Sequence, residues 1–499
     1  MAIDRSGGRE QMEPTTSPPS EAAATILRPD DTCWRIAHAD RLSVIIDAAP
    51  YFAALHAALQ KARHSVVMIG WEFDTRVSLV PQEEDDVVPT RLGQFLNWVV
   101  GQNPDLNIYL LEWDTGMVQV LGRGSTPLRI VDWVSSRQIH MKLDHAHPAG
   151  AAHHQKIVVI DDTLAFCGGI DTTTDRWDTR NHRDDHPLRK RPTTGRSYGP
   201  WHDATVAVDG DAARALGCLA RERWKQATGD DLEPPPPTES AWPKELLPTF
   251  EHVDIGISRT APAYGGRDAV HEIERLYLSI IAGARQSVYI ESQYFAARKI
   301  AEAIAERLRE PDGPEFVIVN PETADGWLEE ETMGSSRARL LALIRAADHH
   351  GRFRIYTPVA EKGTPIYVHA KIVVMDDRLM RVGSSNLSNR SLGMDTECDV
   401  SVAARQDPFG DPDLRRRIAT LRNDLIAEHL DVETADVERE IERADGGLIG
   451  AIEALRGTGK TLVPFTPPDL NLVEGEVLGE NDLLDPERPA RRWRPFRLF

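Results

Sequence analysis

One pattern, His-x-Lys-x-x-x-x-Asp, occurs twice in this 499-residue chain, as His154, Lys156 and Asp161 and again as His369, Lys371 and Asp376. All three positions are separated by the same 215 residues, and nine of the 18 positions from His154 to Asp171 are identical to those from His369 to Asn386. A lone His-x-Lys is common on protein surfaces. A second copy in the same surroundings marks an internal repeat, and a repeat constrains the fold to one unit built twice.

The repeat extends upstream. Residues 51–62 have helical spacing of apolar residues and lead into the β-branched and aromatic run at 65–73. Residues 270–284 lead likewise into 287–295, now at an offset of 222 residues, so only a few residues separate the two spacings. Residues 156–160 and 371–375 are short apolar runs ended by Asp-Asp, which predicts buried strands followed by tight turns. Side chains two apart on a strand share a face, so each His should project with its Lys. The expected fold class is α/β, with two similar lobes, each a mixed β-sheet flanked by helices, pseudo-twofold related with a shared active-site cleft.

Composition sets boundaries around that repeat. Residues 1–30, rich in Ser, Pro, Thr and Glu, read as a disordered leader, 31–230 as the first lobe and 231–245, with its run of prolines, as a stiff connector. Residues 246–430 read as the second lobe and 431–499 as a helical and Pro-rich extension. Its last ten residues mix four arginines with Trp493, Phe496 and Phe499. With 41% hydrophobic residues the chain can bury large cores. Cys33, Cys167, Cys218 and Cys398 have no metal-site spacing and read as reduced thiols. No stretch of about 18 apolar residues and no signal-peptide core is present, so the expected location is cytoplasmic or peripheral at a membrane. Secretion as an effector by a route that leaves the N-terminus intact is an alternative.

The residue types define a chemistry. A phosphodiester resists attack because its anionic oxygens repel nucleophiles. Two imidazoles and two ammonium groups at one site would supply a nucleophile, a proton donor and a cationic cradle without a metal. The formal charge of −20 disfavours a polyanionic substrate, so nucleic acid is not an expected partner. A phospholipid membrane surface is, since a headgroup needs only a local cationic pocket. The histidines at 140, 145, 147, 153 and 154 fit no standard zinc spacing, so no metal site is expected there. The oligomeric state is left open by the sequence, with a monomer as the reading it allows.

These pieces resemble the phospholipase D superfamily, whose members carry two such motifs in two halves of one polypeptide. The resemblance is strongest to its phospholipid-cleaving branch. It rests on both motifs, on GGID at 168–171 with RWD at 176–178, PWHD at 200–203, YIESQYF at 289–295, and GSSNLSNRS at 383–391 with Glu397 beyond. Ser292 stands where that branch has Asn, and Asp171 stands opposite Asn386.

The resemblance implies hydrolysis of glycerophospholipids to phosphatidic acid and a headgroup alcohol through a phosphohistidine, with transfer to other alcohols as a companion reaction and no required cofactor. It implies His154 as nucleophile and His369 as acid and base, although the symmetry of the sequence leaves the two roles interchangeable. Lys156 and Lys371 would hold the phosphate, with Asn386 and Asp171 beside it. Glu397 is the candidate carboxylate for orienting one imidazole and Asp178 for the other. Asp161 and Asp376 belong to the catalytic motif, but each ends an apolar strand and is assigned mainly to turn and interlobe structure. The competing readings are a cardiolipin synthase-like phosphatidyltransferase, a nuclease of the same superfamily, and an inactive scaffold or binding protein.

Overall fold

The computed structural model describes residues 26–81, 87–114, 136–323, 327–404 and 411–466. The amino-terminal half runs β1 (Arg35–Ile46), α1 (Ala48–Leu59), β2 (Ser65–Gly70), α2 (Leu92–Gln102), β3 (Asn107–Trp113), β4 (Ile139–Asp144), β5 (Ile157–Ile160), β6 (Leu164–Gly168), β7 (Trp201–His202), β8 (Ala204–Asp209) and α3 (Gly210–Thr228). The other half begins with β9 (Phe250–Ala261), β10 (Val270–His271), α4 (Glu272–Gly283), β11 (Ser287–Glu291), α5 (Arg298–Leu308), β12 (Glu315–Val319), α6 (Trp327–Ala347) and β13 (Phe353–Val359). It continues through β14 (Tyr367–Val368), β15 (Ile372–Met375), β16 (Leu379–Gly383), α7 (Asn389–Gly393), β17 (Glu397–Ala403) and α8 (Pro412–Leu430). The chain then adds α9 (Thr434–Arg443), α10 (Leu448–Leu455) and β18 (Thr461–Pro464).

Read outward from the middle, one half has the strand order β1-β8-β6-β5-β2-β3-β4 and the other β9-β17-β16-β15-β11-β12-β13. The repeat seen in the sequence is thus a repeat of topology. The halves do not form two separate sheets, however. β1 pairs antiparallel with β9 from Arg35↔Ile257 to Leu42↔Phe250, and one continuous mixed sheet results.

That sheet turns back on itself around a shared core. Ile157 and Val159 of β5 lie in the same buried cluster as Ile372 and Val374 of β15, together with apolar residues of α3 and α8. The intervening Val158 and Ile160 face an outer cluster with α1 and α2, and Val373 and Met375 face another with α4 and α5. Alternation across the pleat therefore buries both faces, which is why these strands are apolar throughout. β6 and β17 meet across the shared core, where the Cys167 thiol donates to the Cys398 carbonyl at 3.6 Å.

Two boundaries differ from expectation. The leader is packed from Ile26 onward, with Ile26 and Leu27 buried in the cluster around α4. Their apolar side chains were masked in the composition by polar neighbours. The carboxy-terminal extension also completes the sheet, because β18 pairs antiparallel with β13. Residues 1–25 and the aromatic-basic segment 490–499 lie outside the described residues. No helix among the described residues is long and apolar enough to cross a membrane.

Candidate active site

Each His-x-Lys enters the strand that follows it, β5 or β15, and the apolar strand fixes it in the shared core. The Lys156 ammonium donates back to the His154 carbonyl at 3.0 Å and pairs with Asp171 at 3.2 Å. Lys371 donates to the His369 carbonyl and reaches Gln293 at 3.5 Å. His154, Lys156, His369 and Lys371 are all at most 5% exposed.

The imidazoles are oriented crosswise. His154 Nδ1 meets both carboxylate oxygens of Glu397 at 3.0 Å, and His369 Nδ1 meets Asp203 at 2.7 Å. Each half therefore aims the other half's histidine. Such a bond places the proton on Nδ1 and leaves the Nε2 lone pair available. Glu397 is held by the Ser384 and Ser391 hydroxyls at 2.5 and 2.7 Å. Each imidazole also lies against a tryptophan, His154 edge-on to Trp71 at 5.2 Å and His369 beside Trp201 at 5.3 Å.

Burial pushes both imidazoles well below the ordinary histidine value, and the lysines push further. On His154 both Lys156 and Lys371 act. On His369 the charges of Lys371, Arg176 and Lys156 act, followed by that of His154. Mutual influence of this kind is expected only where the four groups share one site. Burial raises the Glu397 carboxyl to about 7 against the pull of the two serines and the lysines. It lowers the Lys371 ammonium to about 7 despite the Asp203 carboxylate.

The remaining candidates separate cleanly. Asp171 accepts the Trp71 amide at 2.9 Å in addition to Lys156. Asn386 lies within 3.4 Å of Gln293, and its buried carbonyl oxygen has no hydrogen-bond partner. Asp178 does not orient an imidazole of the motifs. It binds His182 at 3.1 Å, Arg189 at 3.0 Å and the Trp201 amide at 2.9 Å. Asp161 and Asp376 point away from the site. Asp161 accepts the amides of Arg63, His64 and Ser65 at 2.6, 2.8 and 2.7 Å, and Asp376 accepts those of Arg285, Gln286 and Ser287. Both adopt positive φ, 51° and 54°, a conformation Asp tolerates better than most residues. They tie the end of β5 or β15 to the start of β2 or β11 within one half, rather than linking the halves.

Asp203, which in the sequence only closes the PWHD match, takes the role assigned to Asp178. Strand register could have found it. Gly168 pairs with Thr205 and Gly383 with Asp399, so the residues two earlier, Asp203 and Glu397, are equivalent. These glycines are required for that pairing, since a Cβ on either would lie 2.4 Å from the Thr205 Cα or 2.6 Å from the Asp399 Cα.

A family model described as "Phospholipase D" matches residues 58–240, and one described as "Cardiolipin synthase, PLD-like domain" matches 277–408, each spanning one motif. The chain belongs to the phospholipase D superfamily. Among its relatives, phospholipase D1 of Schizosaccharomyces pombe is 26% identical over 429 residues, covering 66% of this chain and 30% of that one. Cardiolipin synthase of Geobacillus thermodenitrificans is 25% identical over 377 residues, covering 72% of this chain and 62% of that one. The chain thus spans about a third of the phospholipase D relatives it matches first. The crystal structure of phosphatidylserine synthase from Haemophilus influenzae Rd KW20 shares the fold, with a TM-score of 0.52 at 12% identity over 84% of this chain and 97% of that one. Superfamily membership places the chain among phospholipase D-superfamily enzymes at the family level. It does not separate hydrolases from phosphatidyltransferases, since the relatives include both.

Proposed function

We propose that this protein hydrolyses glycerophospholipids to phosphatidic acid and a headgroup alcohol. The observation that carries the reading is the crossed pair of carboxylate-anchored imidazoles set between two buried lysines. A neutral His154 attacks phosphorus through Nε2, with Glu397 stabilising the cation that develops on the ring. The bond from phosphorus to the headgroup oxygen breaks, and that oxygen takes the proton of His369. His369, now neutral, takes a proton from water as the water oxygen attacks phosphorus. The P–N bond then breaks, phosphatidic acid leaves, and both rings return to their starting states. Lys156 and Lys371 balance the non-bridging oxygens throughout.

His369 must carry a proton when the headgroup leaves, although it is held neutral without substrate. An anionic phosphodiester between the lysines supplies the missing negative charge and raises its proton affinity. General acid catalysis of this kind contributes ~10²–10⁴-fold.

The second reading, transfer of the phosphatidyl group to an alcohol, is favoured by the match of residues 277–408 to a cardiolipin synthase model. It differs only in whether water or another hydroxyl meets His369. Purified protein incubated with phosphatidylcholine, phosphatidylethanolamine, phosphatidylglycerol, bis(4-nitrophenyl) phosphate and DNA, with chelator or added divalent ions and with or without glycerol, separates these outcomes. Headgroup release in water is expected; product only with an alcohol acceptor would favour the transferase, and DNA cleavage alone would overturn both. His154→Ala should eliminate turnover, and near-normal rates in that variant would refute its role.

A further inference from the structure

Behind the Asp203–His369 pair lies a second set of buried ionisable side chains that the proposed mechanism does not use. Asp47 follows β1, His182 lies in the segment between β6 and β7, His202 is in β7 and Glu428 is near the end of α8. One donor atom from each lies within 4.8 Å of all the others, and all four residues are buried. The adjacent gaps are 3.4 Å from His182 Nε2 to Asp47 Oδ2, 3.2 Å from Asp47 Oδ1 to His202 Nδ1, 3.2 Å from His202 Nδ1 to Glu428 Oε1 and 3.0 Å from Glu428 Oε1 to His182 Nε2, so the Asp47 carboxylate faces the two imidazoles with one oxygen each. A tetrahedral site with ligand bonds of about 2.0–2.1 Å has edges of about 3.3 Å.

Hydrogen bonding alone does not account for this set. Asp47 Oδ2 and His202 Nδ1 are completely buried and have no hydrogen-bond partner. The outward-facing nitrogens, by contrast, are well satisfied. His182 Nδ1 is 3.1 Å from Asp178 and His202 Nε2 is 2.7 Å from Glu291. Those bonds hold a proton on the outward nitrogen of each ring, so on losing the inward proton, which for His182 Nε2 meets Glu428 at 3.0 Å, both rings would turn a lone pair to a bound cation. A carboxylate behind a ligating imidazole is the usual outer support of a metal-bound histidine. Glu291 is in turn fixed by the Tyr289 hydroxyl and by His429, and Glu428 turns its other oxygen to Arg180 at 2.6 Å. The carboxylates Asp47, Asp178, Glu291 and Glu428 outnumber the guanidinium groups that pair with them, Arg180 and Arg189.

We propose that Asp47, His182, His202 and Glu428 form a closed four-ligand site for a divalent transition-metal ion, of which zinc suits the donors and geometry best. Its role is structural. It fastens the segment carrying His182, which has no counterpart in the second half, to helix α8 of that half. It also lies one residue from the catalytic wall. Asp47 exchanges backbone and side-chain bonds with the Asp203 main chain, at 2.7 and 3.2 Å, and the His202 carbonyl accepts the His369 amide at 2.7 Å. The histidine tract at 140–154 is not this site, for its members bind separate partners, among them Asn107, Asp114 and Thr396.

Elemental analysis of the full-length protein, produced with added zinc and then dialysed, should find a single ion per chain. The ion should be lost in Asp47→Asn and in Glu428→Gln. X-ray absorption at the metal edge should give a first shell of two imidazole nitrogens and two carboxylate oxygens. Where a variant fails to fold, stripping the wild-type protein with dipicolinate should lower its melting temperature, and zinc should restore it. Metal-free protein whose melting is indifferent to zinc and chelator would overturn the site and leave a network of doubly protonated imidazoles. Metal retained in both variants would place the ion elsewhere and overturn it equally. These readouts stand whether or not the protein cleaves phospholipids.

Discussion

Replacing Asp203 by Asn alters one atom and should disable His369. Asp203 uses Oδ1 to accept the amide of Ala204 at 2.8 Å and Oδ2 to accept the proton on His369 Nδ1 at 2.7 Å. An asparagine amide cannot serve both contacts. If its oxygen keeps the Ala204 amide, its NH₂ faces His369 Nδ1, which must then accept a hydrogen bond. The ring proton moves to Nε2, the nitrogen that has to exchange protons with the leaving group and water. If the amide is reversed, NH₂ opposes N–H at Ala204. The first arrangement keeps more bonds, so the wrong tautomer is the expected ground state. The same substitution behind the histidine of a serine protease triad lowers kcat by ~10⁴. A similar loss, about 5.5 kcal/mol of transition-state stabilisation at 1.36 kcal/mol per decade, is expected here. Because Asp203 is a positioning residue, the loss should fall on kcat with KM little changed. Steady-state headgroup release from a soluble short-chain phospholipid measures both, and circular dichroism melting confirms the fold. A folded variant retaining more than about a tenth of wild-type kcat would refute the tautomer argument, which asks for far more than the ~10-fold that corresponds to 1.36 kcal/mol.

Three further outcomes follow from the same geometry. Asp161→Ala removes the acceptor for three backbone amides and should cost about 3–5 kcal/mol in urea unfolding, allowing for water reaching the partly exposed donors, while the folded fraction keeps its kcat; loss of kcat at unchanged stability would instead place Asp161 in the chemistry. Lys371→Arg keeps the charge but puts a planar, longer group into a fully buried site, and should lower kcat/KM by at least ~10²; near-wild-type turnover would show that Lys371 does not hold the phosphate. His154 and His369 have values depressed below 6.5, so their contribution to stability is present above pH 6.5 and is lost as pH falls through their folded-state values, because the unfolded chain takes up protons first. Glu397, raised from 4.5 to about 7, acts oppositely, its contribution being full below 4.5 and lost as pH rises through 7. Glu397→Gln removes that opposing contribution, so urea midpoints of the variant should fall more steeply between pH 6.5 and 5 than those of the wild type, and an unchanged slope would contradict these signs.

The parts of the site readable in sequence are those on which the two halves agree. His154, Lys156, His369 and Lys371 lie at one offset because the strands they enter must pack the same core on both faces. Glu397 follows Gly383 by a short helix, 14 residues on, whereas Asp203 follows Gly168 by 35. The intervening segment, with Asp178 and His182, hid the equivalence and put a nearer carboxylate in its place. Asp178 is instead committed to His182 and Arg189. The single sheet was illegible for a different reason. Its joining ladder pairs β1 with β9, over 200 residues apart, and local patterning carries no information about such a partner. Ile26, Leu27 and β18 were likewise read from the composition around them rather than from the surface they cover.

The crossed orientation of the imidazoles makes the site depend on both halves at once. His154 depends on Glu397 of the second half, and His369 depends on Asp203 of the first. A displacement of one half against the other would misaim both rings at once, and with two proton transfers per turnover the losses would multiply. The β1–β9 ladder and the core shared by β5, β6, β15 and β16 resist such movement. Glu428 and Glu291 reach His202, immediately before Asp203, from helix α8 and strand β11 of the opposite half. The same wall that aims His369 is therefore braced from the half that carries His369, so the orienting carboxylate and its target cannot drift independently. Duplication alone would supply two histidines; the exchange of carboxylates across the joint is what makes them one site.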